Sequence, residues 1–295
     1  MTACLLPLQE VTSPEEFKKV FIGALQAHHA VYKAFGFVHQ DLSLANIMFY
    51  RESRSEEAFG ALCDWDSPRV HHQPGRKHTG PVAPTMDDIV GNVIAVNSSL
   101  YELIVHPTWH VENRVYPLAT GTAPFVALDL LDTSTATGPQ HLYLYRHDLE
   151  SFFYILVWFA STFKPQDKRI GTIREWLKKD VREVRRKKSS AIRAMYPITK
   201  MVDRGSVVYR EALKPWIDEL LINLIEPTVK KHEDIRGAVA AQTFLSDTFK
   251  SSELSSKKTI ASVSKAVYDM VVAREEIMTF QNFMRCLGEE VKDDQ

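Results

Sequence analysis

The chain has 295 residues, 45% hydrophobic and 25% charged, enough to bury one sizeable core or two modest ones. Its formal net charge of -1 argues against a general nucleic-acid or anionic-membrane surface, because counterion release needs a dense basic face. Three cysteines far apart in sequence, Cys4, Cys63 and Cys286, favour a reducing compartment over a disulfide framework.

The N-terminus, MTACLLPLQEV, has no basic segment followed by a long apolar core, so no secretory signal is visible. Residues 13 to 36 read as a helix: Ser13 and Glu16 have capping-box spacing, Pro14 takes the first helical position, and Gly36 stands where a left-handed residue ends a helix. Phe17, Val20, Phe21, Ala24, Val31, Tyr32 and Phe35 give it one apolar face. Next comes a polar loop with His39, Asp41 and Asn46, bracketed by Phe37-Val38 and by Ile47 to Tyr50. The runs Ile47 to Tyr50 and Ala61 to Cys63, joined by RESRSEEAFG, predict a small hairpin that leads into Asp64-Trp65-Asp66.

From Ser67 to Leu118 the pattern is irregular, with Pro, Gly and His dominating 68 to 84 and a partly helical pattern over 86 to 105. A connection of that length is uncommon in a compact domain, and 67 to 119 reads as a family-specific insertion or translated non-coding sequence. Its most apolar stretch, IVGNVIAVNSSLYELIV, is interrupted by Asn92, Asn97 and Glu102, which argues against a membrane span. The expectation is an intracellular protein, cytoplasmic or nuclear.

From His147 the sequence HDLESFFYILVWFAS is apolar on nearly every side, the mark of a helix buried mid-domain. Further helices are predicted at about 170 to 195, 207 to 225 and 258 to 287, so this part is mainly α. SSELSSKKT (251 to 259) reads as a surface loop. His71, His72 and His78 lack a spaced Cys or carboxylate and read as a polar loop. The run VREVRRKKSSAIR (181 to 193) reads as a solvated helix face, and Trp158, Trp176 and Trp216 as packing residues.

Phosphoryl transfer needs a carboxylate to orient and deprotonate the attacking hydroxyl, oxygen ligands for magnesium, and reactants held in line. His39-x-Asp41-x4-Asn46 has the residue types and spacing of a kinase catalytic loop, and Asp64 follows on the next strand. TGTAPFVALDLL (120 to 131) resembles the end of a kinase activation segment, with Thr122, Phe125, Ala127 and Asp129 on matching positions. HDLES then sets Asp148 three residues before Ser151 at the start of the buried helix.

Together HxDxSxxN, DWD in place of DFG, TGTxPF and HDLESFFY resemble the fungal-type protein kinase family, over about residues 15 to 180. The resemblance implies a bilobal kinase fold, ATP and Mg2+ as cofactors, and a protein Ser/Thr hydroxyl as acceptor. On it Asp41 is the catalytic base, Asn46 and Asp64 are magnesium ligands, Thr122 contacts Asp41, and His39 is structural. Asp148 braces the catalytic-loop backbone. Gln40 replaces the arginine that would pair with a phosphorylated activation loop. Ser43 stands where many such enzymes hold a lysine near the γ-phosphate, supplying a hydrogen bond without charge. Asp66 replaces the glycine of DFG, and Leu128-Asp129 replace Pro-Glu, so the segment need not anchor as in typical kinases.

The catalytic loop begins 38 residues into the chain, and no Gly-rich loop, V-A-I-K lysine or Walker GxxxxGK is found. The expected fold is therefore α+β, mainly α: a protein kinase-like C-lobe with a small β-hairpin and no N-lobe. Residues 1–180 form its core and 181–295 the C-terminal helical part of the same lobe. The expected activity is weak or absent phosphoryl transfer to a protein substrate. The alternatives are a non-catalytic pseudokinase that binds a protein partner, and a small-molecule phosphotransferase, since aminoglycoside and choline kinases also carry HxDxxxxN followed by D-x-D. No nucleic-acid or membrane partner is expected.

Overall fold

A computed structural model describes residues 5–52, 57–65, 86–87, 89, 124–131, 143–194, 196–248 and 265–291. Helix α1 (Pro14–Phe35) follows a short strand β1 (Leu6–Pro7), and its ends match the sequence pattern. Ser13 Oγ accepts from the Glu16 N–H at 3.1 Å, and Gly36, at φ 66°, closes the last turn by donating to Tyr32 O at 2.7 Å. The capping box is completed differently from the expectation. The Glu16 carboxylate accepts from Thr12 N at 2.6 Å and from Arg51 Nε at 2.6 Å, so it ties the helix start to the neighbouring strand.

Strands β2 (Ile47–Arg51) and β3 (Ala58–Leu62) form the predicted antiparallel hairpin, with Ile47 opposite Leu62. β1 adds a third strand, Leu6 opposite Phe49, in the order β1-β2-β3. α1 lies directly on β3, and two glycines permit it: a Cβ on Gly60 would stand 2.0 Å from Val20 O, and one on Gly23 would stand 2.9 Å from Gly60 N. This contact fixes the hairpin against the helix that precedes the loop at 39.

Helix α2 (Tyr145–Thr162) is the centre of the main core, with every residue from Arg146 to Ser161 buried. Phe17 of α1 stacks on Phe159 at 4.2 Å, and Phe21 meets Phe152 edge-on at 5.7 Å. A two-stranded piece, β4 (Phe163–Lys164) with β5 (Arg169–Ile170), follows. Then come α3 (Val181–Ala194), α4 (Tyr196–Val202), α5 (Val207–Leu220), α6 (Glu226–Thr248), α7 (residues 265–275) and α8 (Phe280–Cys286). The fold is mainly helical with small antiparallel sheets, as expected.

Three helix boundaries differ from the sequence reading. The helix predicted from 170 starts only at Val181: Ile173 and Trp176 are buried three residues apart, which imitates helical spacing, but they lie in a turn, and Asp180 Oδ1 receives Arg182 N–H at the true start. The helix predicted to end at 225 passes through a π turn, Leu221–Ile225, and continues to Thr248. Glu226 N–H reaches back five residues to Leu221 O, so the register shifts just before Pro227, which has no N–H to give. The single helix predicted over 258 to 287 is two in the described part, because Thr279 Oγ1 caps a new start by accepting from Asn282 N–H at 3.2 Å. Trp158, Trp176 and Trp216 are buried, as read. Among the described residues, no helix is long and apolar enough to cross a membrane. The histidines at 71, 72 and 78, the loop 251 to 259 and nearly all of 67 to 119 lie outside the described residues.

Candidate functional site

Gly36 ends α1 and turns the chain toward α2, where Asp148 sits fully buried in the first helical turn. Asp148 accepts from His39 N–H at 2.6 Å and from Gln40 N–H at 3.1 Å. The two successive amides can converge on one carboxylate because Gln40 is left-handed, at φ 69°. Two side chains complete the set: His28 Nε2 at 2.8 Å and the Tyr143 hydroxyl at 2.6 Å. Burial by itself would raise the pKa of Asp148, but the bonds from His28, Tyr143 and the His39 amide hold it below the usual carboxylate value. Tyr143 moves the opposite way, pushed well above the ordinary phenol by burial and by the Asp148 charge.

His39 is buried and donates from Nε2 to Cys63 O at 2.9 Å, while Cys63 N–H donates to Asn46 O at 2.8 Å. The loop and the end of β3 are thereby laced together on both sides. Trp65 closes the back, 4.8 Å from the His39 ring and 6.0 Å from the His28 ring. Between the two strands of chain, Ser43 Oγ donates to Asn46 Oδ1, and Asn46 Nδ2 faces Asp64 Oδ2 at 3.4 Å. Asp64 is also left-handed, at φ 66°, and that conformation turns its carboxylate toward Asn46. The structure therefore groups Ser43, Asn46 and Asp64. Asp41, two residues before Ser43, is half-buried, and among the described residues its carboxylate has no hydrogen bond or ion pair. Thr122 and Asp66 lie outside the described residues.

Residues 124–131 form an irregular segment fastened at several points. Asp129 is ion-paired with Arg146 and lies 3.1 Å from His147 Nε2. Arg146 continues to Glu275 at 2.9 Å, and Glu275 to Arg274 at 2.7 Å. Leu128 N–H donates to Glu150 Oε1 at 2.7 Å, and Lys188 Nζ donates to Val126 O at 2.7 Å. Asp129 in place of glutamate thus does hold the segment, by way of the first turn of α2. Lys188 also corrects the reading of 181 to 193 as a solvated face: it is fully buried. The register had signalled it, because Lys188 stands four residues from both Val184 and Ile192, on the apolar side of α3. Nothing in the local pattern marked His28 or Tyr143 as partners of Asp148.

The sequence matches the model of the fungal protein kinase family over residues 1–160. The chain belongs to that family. No curated protein and no solved structure matches it. In this family member the oxygen-bearing pair Asn46 and Asp64 is chemically suited to a hard divalent cation, provided that the Asn46 amide turns its oxygen toward Asp64. Among the described residues, no group of three His, Cys, Asp or Glu is placed to hold a metal ion.

Proposed function

We propose that this chain carries the catalytic-loop half of a protein kinase site, on a kinase-like C-terminal lobe, and transfers a phosphoryl group from ATP to a protein Ser/Thr hydroxyl. The observation that carries the reading is the double hold on the loop: Asp148 fixes the His39 and Gln40 amides on one side, and the Asn46–Cys63 backbone bond fixes Asp64 beside Asn46 on the other. Asp41, presented from that rigid frame with a carboxylate that has no partner among the described residues, would accept the proton of the acceptor hydroxyl and orient its oxygen. Asn46 and Asp64 would hold Mg2+, which when bound neutralises charge on the phosphates. Ser43 would keep the Asn46 amide in place, and Thr122 would contact Asp41.

Residues 1–180 would form the core of the lobe and 181–295 its remaining helices. Support comes from Lys188 and Glu275, which lie in the later part and fasten Val126 and Arg146 of the earlier one. The 295 residues contain no Gly-rich loop and no V-A-I-K lysine, and each preorganised electrostatic contact of that kind is worth roughly 3 kcal/mol in a transition state. Weak transfer is therefore expected from these residues alone.

The test offers the chain labelled Mg-ATP with a generic phosphoacceptor protein, an aminoglycoside and choline, beside an Asp41→Asn variant. Slow labelling of protein that disappears in Asp41→Asn is the expected result. Labelling of the small alcohols, with none on protein, would move the reading to a small-molecule phosphotransferase. No transfer at all, with a Mg-ATP thermal shift that Asp64→Ala abolishes, would make the chain a nucleotide-dependent binding module.

A further inference from the structure

Lys188 raises a question that the catalytic loop does not answer. Its side chain is completely buried on α3, and burying an ammonium group is costly unless something specific is gained. A methionine or leucine of similar volume would pack against the same rings with less desolvation. What neither could do is bind Val126 O, which Lys188 Nζ reaches at 2.7 Å. The amine also lies 3.5 Å from the centre of the Tyr154 ring and 5.6 Å from that of Trp176.

The contacts form a closed circuit. From Val126 O it runs to Lys188, to the face of Tyr154, and through the Tyr154 hydroxyl to Glu150 Oε1 at 2.6 Å. The same oxygen accepts Leu128 N–H at 2.7 Å, which brings the circuit back two residues along the segment. Ala127, at its centre, is fully buried. Residues 124–131 are in turns, with no helix or strand ladder to define their path. Two side chains take over that task, one on the carbonyl before Ala127 and one on the amide after it.

Arg146, His147, Asp148 and Glu150 lie within five consecutive residues of α2. Asp148 holds the loop that presents Asp41, whereas Arg146, His147 and Glu150 hold residues 128–129. The segment is therefore referenced to the same helical turn as Asp41. On the kinase reading, the segment tied to the same turn as the Asp41 loop, residues 124–128, is where the residues flanking an acceptor hydroxyl would bind.

We propose that Lys188 and Glu150 are positioning residues that clamp the backbone on either side of Ala127 and so set the affinity for the protein phosphoacceptor; this second part rests on the kinase reading above. Burial pulls the Lys188 amine well below its ordinary pKa, against the Glu150 charge, while burial and the Asp129 charge raise Glu150. Both are still able to make the bonds observed, since a neutral amine donates and a carboxyl oxygen accepts.

Hydrogen exchange on the whole chain tests the clamp without any need for catalysis. In Lys188→Met, amides of residues 126–131 should exchange at least about tenfold faster while those of α2 keep their wild-type protection. Unchanged exchange in the segment, or a rise shared equally by α2, would overturn the clamp. Should Lys188→Met not fold, Tyr154→Phe keeps the ring and removes the hydroxyl bond to Glu150. It should raise exchange at Leu128 several-fold, and no change there would be equally decisive. Glu150→Gln retains an acceptor oxygen and should stay within about twofold of wild type, whereas Glu150→Leu should not. For transfer, Lys188→Met should raise KM for the acceptor protein several-fold with kcat within about twofold; a fall in kcat at constant KM would refute the affinity role. A clamp signature with no transfer by the wild-type chain retires the kinase reading alone, and active transfer with unchanged exchange retires the clamp alone.

Discussion

His28 Nε2 stands 2.8 Å from Asp148 Oδ2, both side chains completely shielded from solvent, and this pair joins α1 to the turn of α2 that holds the catalytic-type loop. An ionised carboxylate only accepts, so His28 donates from Nε2. The residues on either side of the loop, α1 before it and α2 far downstream, thus meet at the same atom that receives the His39 amide.

Removing that acceptor is expected to be severe. Asp148→Ala leaves His28 Nε2, the His39 and Gln40 amides and the Tyr143 hydroxyl without their partner. At roughly 1–3 kcal/mol per buried orphan, partly offset by water entering the space, the loss should exceed about 4 kcal/mol. Asp148→Asn keeps one accepting oxygen and should lie between that and His28→Leu, which loses a single bond and should cost about 1–2 kcal/mol. Urea unfolding of the three variants checks the order. A His28→Leu loss as large as that of Asp148→Ala would mean that the helix contact, and not the loop amides, dominates.

His39, Asp41, Ser43 and Asn46 could be picked out because they lie within one short loop, and Asp64 because it follows closely on the paired strand. Asp148 was read from the resemblance as the brace of the loop backbone, but its side-chain partners were not, because His28 lies 120 positions from it and no spacing rule ties His28 or Tyr143 to the loop. Lys188 was misread for a different reason. Charge suggested a solvated face, whereas the apolar register of α3 assigned it inward, and the register prevailed because Val126 O and two aromatic rings were there to receive it. Helix ends failed where tertiary packing overrode local signals, at the buried turn before Val181 and at the π turn that carries the helix past Pro227.

Acid sensitivity should begin well above the carboxylate range. His147 Nδ1 accepts the Leu144 N–H at 2.9 Å, so that nitrogen must keep its lone pair, and Nε2–H is left to face Asp129. Burial and the Arg146 charge lower its pKa to about 4, despite the opposing pull of Asp129. Because the folded value lies below the ordinary 6.5, the unfolded chain binds the proton first as pH falls. Stability is complete above about pH 6.5 and is lost progressively down to about pH 4, by about 3 kcal/mol from this residue. Denaturation midpoints between pH 7.5 and pH 4.5 should show that slope, and His147→Asn should flatten it. An equal slope in the variant would place the titration elsewhere.

The approach of α1 to β3 makes Gly60 irreplaceable. A Cβ there would lie 2.0 Å from Val20 O and 2.8 Å from Ala24 N, both backbone atoms of a buried helix that cannot swing aside. Gly60→Ala should cost about 2–3 kcal/mol or more by forcing the hairpin off the helix, and with it the end of β3 that carries Asp64. Gly237 in α6 provides the contrast, since nothing lies within 4 Å of a Cβ added to it. Gly237→Ala should be neutral to stabilising by up to about 1 kcal/mol. Thermal unfolding of the two variants under one condition checks both signs, and a stable Gly60→Ala protein would mean that the α1–β3 distance is not fixed by this contact.

Ser43 is best explained by what a hydroxyl can do that a lysine cannot. It donates to Asn46 Oδ1 while Asn46 Nδ2 faces Asp64, an arrangement that suits the carboxylate in the absence of a cation. For Asn46 to offer its oxygen beside Asp64, the amide must turn over, and its NH2 then needs an acceptor on the other side. Ser43 Oγ can accept as readily as it donates; an ammonium group can only donate. Under the proposed function, Ser43→Ala should weaken binding of Mn2+ in the presence of ATP by about fivefold, the worth of one hydrogen bond of about 1 kcal/mol. Ser43→Lys should weaken it further, by holding the Asn46 oxygen away from Asp64 and adding a like charge next to the ion. Mn2+ titration followed by electron paramagnetic resonance reads free ion directly, without any phosphoryl transfer. Lysine binding Mn2+ as tightly as serine would show that Asn46 keeps a single orientation, and that Ser43 does not serve its turn.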